Sequence, residues 1–139
     1  LDSHEDDRPK SLITELDRQA VAQGLAQGAA HWVLLATHHP LVLVDCPWLD
    51  KDRIVGPLEL MNWLNAASQQ RLRGAVFGHA HQEVAGRVGA WPVFGVPSTC
   101  FQFRPRSPKF AIDDKRPGYQ WLDLSKDGKI SRTVRRVAV

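Results

Sequence analysis

The chain has 139 residues, 43% hydrophobic and 24% charged, which suits one globular domain with a core and excludes disorder. A formal net charge of +3, with no stripe of basic and aromatic residues, gives no reason to expect a nucleic-acid polymer as partner. No apolar run approaches the length of a membrane span, and the polar, acidic opening Leu1–Lys10 is unlike a signal peptide. Cys46 and Cys100 form no CxxC pair, so two free thiols in a cytoplasmic protein are expected.

Residues 1–10 read as a loop. Thr14, with Asp17 three positions later, forms a capping box that opens a helix. Leu16, Ala20, Val21 and Leu25 supply its apolar stripe, and Gly28 lies near its end. Trp32–Ala36 is a short continuous apolar run followed by His-His-Pro, the pattern of a central strand covered on both faces. A loop follows, from about Pro40 to Gly56. Pro57 stands where a first helical turn begins, and Leu60, Met61 and Leu64 mark the inner face of that helix. Gly74–Phe77 is a second buried strand, so strand, helix and strand predict a βαβ unit with parallel strands.

Beyond it the pattern changes. Glu83–Arg87 and Trp91–Val96 read as strands joined around Gly89, and Pro97–Pro117 as a long ordered loop. Tyr119–Leu124 and Ile130–Val137 predict a hairpin around Asp127-Gly128. The expected fold class is α/β, a βαβ unit followed by antiparallel strands.

Three of the six histidines fall at the carboxyl ends of the two parallel strands, the edge where open α/β sheets bind ligands. His38 follows the first strand; His79 and His81 follow the second, in Gly78-His79-Ala80-His81. In extended backbone, histidines two positions apart point the same way, and Gly78 permits a tight turn. Together the three can converge on a divalent metal. His39 can line such a site or simply pack, while His4 and His31 read as residues without a role. Arg104 and Arg106 follow the strand ending at Val96 closely enough to meet a phosphate, and Arg104 joins His39 as the substrate-binding candidate. Arg132, Arg135 and Arg136 read as solvated or edge-strand charges.

No acidic residue stands at a convincing ligand position. Asp45, Asp50 and Asp52 read as surface charges, as do Asp113 and Asp114. Metals that hydrolyse phosphoesters ordinarily need carboxylates, so the histidines belong either to an incomplete site or to one of another kind, such as a mononuclear zinc centre.

Thr37-His38-His39-Pro40 and Gly78-His79-Ala80-His81-Gln82 resemble the last two metal motifs of calcineurin-like metallophosphoesterases. Val96-Pro97-Ser98-Thr99-Cys100, Gln102-Phe103, Phe110-Ala111 and Pro117–Leu122 extend the likeness to the C-terminal region of bacterial class III 3′,5′-cyclic-AMP phosphodiesterases. The resemblance implies the C-terminal half of an αββα sandwich, with residues 1–139 a single partial domain and the N-terminal half absent. It implies two divalent ions (iron, manganese or zinc), His38 and His79 serving one and His81 the other. It also implies a bridging aspartate, an asparagine ligand and a proton-donating histidine from motifs not found in this chain. The expected activity is metal-dependent hydrolysis of a cyclic nucleotide, with this chain alone inactive and binding metal weakly. The alternative is a non-catalytic binding or assembly module, a homodimer or the partner of a separate N-terminal half.

Overall fold

A computed structural model describes Leu1, Ser3 and residues 13–138. The chain runs α1 (Glu15–Gln27), β1 (Val33–Thr37), α2 (Pro47–Asp50), α3 (Pro57–Ala67), β2 (Leu72–Phe77), β3 (Val84–Val88) and β4 (Trp91–Gly95). Then come β5 (Gln102–Phe103), β6 (Ile112–Asp113), β7 (Gly118–Leu124) and β8 (Ile130–Arg136). A mixed four-stranded sheet has the order β1-β2-β4-β3. Strands β1 and β2 are parallel, as are β2 and β4, while β3 and β4 form an antiparallel hairpin. The α/β class and the parallel βαβ unit are as expected. His4 and most of the expected opening loop lie outside the described residues.

The elements form where local chemistry favours them. Thr14 caps α1 with the full capping box, its side chain accepting from the Asp17 amide and Asp17 accepting from the Thr14 amide. The stripe on α1 is narrower than expected: Leu16 is 77% exposed, and only Val21 and Leu25 pack on the core. What holds the end of α1 is Arg71, whose guanidinium donates to the carbonyls of Leu25, Gly28 and Ala30 as well as to Ser68. It thereby satisfies helix-end carbonyls that otherwise need water. Pro57 opens α3, and Leu60, Met61 and Leu64 are its buried residues.

Three expectations change. The strand β1 is an outer strand of the sheet among the described residues, pairing only with β2, and Ala36 faces solvent. Its apolar run reflects a tucked start and the packing of Leu35, not burial on both faces. The loop after His39 contains the short helix α2, and Leu49 and Ile54 on either side of its end are each 1% exposed. The segment Pro97–Pro117 carries a small ladder, β5 with β6, and the buried Gln102 side chain brackets Ser98 by bonding both its amide and its carbonyl.

The hairpin of β7 and β8 lies against the sheet. Its turn closes through Ser125 and Lys129 with Gly128 at φ +82°, and Trp32 donates from Nε1 to the Lys126 carbonyl. Arg132, expected as a solvated charge, instead donates to the carbonyls of Val84 and Gly95 on β3 and β4 and to Gln120. Arg136 pairs with Glu83. Among the described residues, no helix is long and apolar enough to cross a membrane. Cys46 is buried and Cys100 exposed, both free.

Close packing of β2 against β4 leaves no room at Gly74, where an added Cβ would lie 2.6 Å from the Pro92 carbonyl oxygen and 3.0 Å from Ile130 Cδ1. Gly74→Ala is therefore expected to lower unfolding free energy by about 1–3 kcal/mol in a urea titration. An unchanged midpoint would show that this contact does not limit the sheet.

Candidate metal centre

Parallel pairing sets the site. Thr37 is the register partner of Phe77, so the chain leaves β1 and β2 at the same level, with His38 and Gly78-His79 side by side. The Gly78 amide donates to the carbonyls of Thr37 and His38, which holds the two exits together. The segment after β2 is not extended. His79 and His81 sit at φ +43° and +50°, in the left-handed region that histidine enters only at a cost, while Ala80 between them is fully buried. The expectation that an extended backbone aims the two rings alike is thus corrected: consecutive turns, anchored by Ala80, set their directions. The left-handed positions fall on the histidines rather than on Gly78.

His38 Nε2 and His79 Nδ1 face each other at 3.1 Å. Two nitrogens held about 2.0–2.1 Å from one ion at ordinary coordination angles stand roughly 2.8–3.4 Å apart, so this pair has ligand spacing without rearrangement. His38, His39 and His79 each bring one nitrogen within 4.8 Å of the others. His39 is buried, its Nδ1 2.8 Å from Ser3 Oγ and its amide donating to the same oxygen. Its ring therefore sits beneath the other two rather than facing solvent.

His81 lies apart from that trio but shares a cleft with His38 and His79. An open cleft of about 330 Å³ is lined by His38, Gly78, His79, His81 and the segment Val96–Thr99. The His81 ring stacks on Phe103 with centroids 4.5 Å apart, and its Nδ1 is 3.0 Å from the Phe101 carbonyl. A carbonyl only accepts, so Nδ1 carries a proton, and on a neutral ring Nε2 then holds the lone pair. Arg104 does not line this cleft; its side chain is exposed and its main chain pairs with Ala111.

Sequence reading missed two groups. Asp52, expected as a surface charge, places Oδ2 3.4 Å from His79 Nε2. Ser3 is buried against His39. No motif marks either one, because both reach the site by tertiary folding of segments remote from it.

Electrostatics favour the neutral form at His39 and His79. Burial, then the neighbouring His79 and His38, lowers the pKa of His39 below the ordinary histidine value. Burial and His38 lower that of His79, against an opposing pull from Asp52. Neutral imidazole is the form that binds a metal, and the residues present fit a divalent ion at the His38–His79 pair.

The chain is similar to curated cyclic-nucleotide enzymes. It is 36% identical over 138 residues to a probable cyclic nucleotide phosphodiesterase of Psychrobacter arcticus, covering 99% of this chain and 48% of that protein. It is 32% identical to the 3′,5′-cyclic adenosine monophosphate phosphodiesterase CpdA of Escherichia coli K12, covering 99% of this chain and 50% of that one. The CpdA of Haemophilus influenzae is 28% identical, with 99% and 49% covered. The chain is a homologue of cyclic nucleotide phosphodiesterases. It spans about half the length of these relatives. No family model matches it.

The lowered histidine pKa values predict a pH dependence. The unfolded chain takes up protons near pH 6.5 that the folded site resists, so folded stability is full above that value and falls as pH drops below it. The thermal midpoint of the metal-free chain should decline between about pH 7.5 and about pH 5, above the range where ordinary carboxylates titrate. A flat or rising midpoint over that interval would contradict the neutral-histidine site.

Proposed function

We propose that this chain is the C-terminal half of a calcineurin-like metallophosphodiesterase acting on a 3′,5′-cyclic nucleotide, with cyclic AMP as the leading substrate. The observation that carries the proposal is the convergence of His38 Nε2 and His79 Nδ1 to ligand spacing at the carboxyl edge of parallel strands. The similarity to cyclic nucleotide phosphodiesterases over nearly the whole chain supports it.

In this reading His38 and His79 hold one of two divalent ions (iron, manganese or zinc), and His81 contributes to the other. When bound, such ions stabilise charge on phosphoryl oxygens as Lewis acids. The chain's own residues supply neutral donor nitrogens at fixed positions and one wall of the cleft, through Val96–Thr99. His39 and Arg104 are the substrate-side candidates; His39 would act through the rings it supports, and Arg104 would need to approach from beyond the cleft. Residues 1–139 form a single partial domain, and the bridging aspartate, asparagine and proton-donating histidine come from the N-terminal half. Three imidazoles divided between two ions make a weak site for either, so the isolated chain binds metal weakly and turns over little or no substrate.

A second reading, an assembly module, is favoured by the outer position of β1. Beside that strand runs an apolar cleft lined by Val21, Leu25, Val33, Leu35 and Leu64, suited to a complementary half or a second copy. Light scattering on the eluting chain discriminates: a monodisperse monomer counts against self-assembly.

Cobalt or zinc titration tests the main proposal. The chain should bind metal, and His38→Ala or His79→Ala should weaken binding at least about tenfold while circular dichroism stays native. A folded chain that takes up no metal sinks the proposal. Hydrolysis of cyclic AMP or bis-p-nitrophenyl phosphate by the chain alone, lost in His79→Ala, would support the activity and overturn the expected inactivity of the isolated half.

A further inference from the structure

We infer that Asp52 is a positioning residue for His79, selecting which of its ring nitrogens faces His38. The inference deepens the proposed function and rests on it for the identity of the ligand, a divalent metal ion.

The geometry begins with the delivery of Asp52. The loop between His39 and α3 is fixed at several points. Asp50 Oδ1 accepts from the Val44 amide at 2.7 Å, and the Ile54 amide donates to the Pro40 carbonyl at 2.9 Å. The Asp52 amide donates to the Leu49 carbonyl at 3.0 Å. Leu49 and Ile54, on either side of Asp52, are buried in the core at 1% exposure each. Burial of each such side chain contributes about 1.5–3 kcal/mol, so Asp52 stands on an anchored segment rather than on a free loop. The Ile54–Pro40 bond also ties this segment to the residue that follows His39, so the carboxylate and the histidines share one framework.

From that segment Asp52 Oδ2 reaches His79 Nε2 at 3.4 Å, the long end of hydrogen-bond range, with side chains only 16% and 24% exposed. A carboxylate can only accept, so Nε2 is the nitrogen that carries hydrogen. On a neutral ring this leaves the Nδ1 lone pair, and Nδ1 is the atom 3.1 Å from His38 Nε2. Two hydrogen-bond acceptors thus set the two histidines of one tripeptide in opposite senses. Asp52 frees Nδ1 of His79, and the Phe101 carbonyl frees Nε2 of His81. Carboxylate partners that orient ligating histidines ordinarily change metal affinity 10–100-fold when removed.

The test combines metal-free and metal-bound measurements on the whole chain. Nitrogen-15 chemical shifts of the His79 ring report its tautomer without metal. In the parent chain the proton should reside on Nε2, and Asp52→Ala should remove that preference. Asp52→Asn, whose amide oxygen can still accept, should retain it. Cobalt affinity should fall about 10–100-fold in Asp52→Ala and stay within about threefold in Asp52→Asn. An Asp52→Ala chain with an unmoved His79 tautomer overturns the inference, as does one with a moved tautomer and unchanged cobalt affinity. If the parent chain binds no cobalt, the proposed function fails separately, and the tautomer measurement alone decides whether Asp52 orients His79.

Discussion

The register between β1 and β2 is the constraint on which the candidate site depends. Parallel pairing places Thr37 opposite Phe77, and every later placement of His38 and His79 follows from that match. Register is set by which residues can be buried, and a one-residue slip would move Leu35 and Thr37 out and Ala36 in. The histidines therefore meet because of an apolar pattern upstream of them. The tight approach at Gly74, where β4 leaves no space for a side chain, keeps the third parallel partner close and stiffens the same edge.

Around that pairing, the surrounding loops complete the site by reaching in from remote parts of the chain. The α2 segment carries a carboxylate to His79, and the loop bracketed by Gln102 carries the Phe101 carbonyl and the Phe103 ring to His81. Ser3 supports His39 from below. Buried polar groups of this kind cost free energy unless paired, and here each imidazole has a nearby partner. The framework thus orients the rings and favours the neutral form of His39 and His79, which is the condition for metal binding rather than for charge display.

Much of the fold was legible in the sequence because its signals are local. The capping box at Thr14, Pro57 at a helix start, the Leu60–Leu64 face and the Asp127-Gly128 turn each depend on residues within a few positions. The position of His38 and His79 at neighbouring strand ends followed from the βαβ pattern. What stayed hidden was non-local. Nothing in Asp50-Lys51-Asp52 distinguishes a site carboxylate from a surface one, since its partner lies 27 positions away. An apolar run cannot say whether a strand is central or outer, which is why β1 read as covered on both faces. Arg132 read as solvated because its acceptors, Val84 and Gly95, belong to another hairpin.

The left-handed backbone at His79 and His81 bears on how such a site can be moved between proteins. A Gly-His-Ala-His string grafted onto an ordinary strand would relax to extended geometry, and its rings would diverge from the positions they hold here. The string keeps its shape only where a pocket accepts the Ala80 methyl and outside acceptors grip both rings. The transferable unit is therefore a three-dimensional socket, drawn from the β1 exit, the α2 turn and the Phe101–Phe103 segment, with the tetrapeptide as its smallest part.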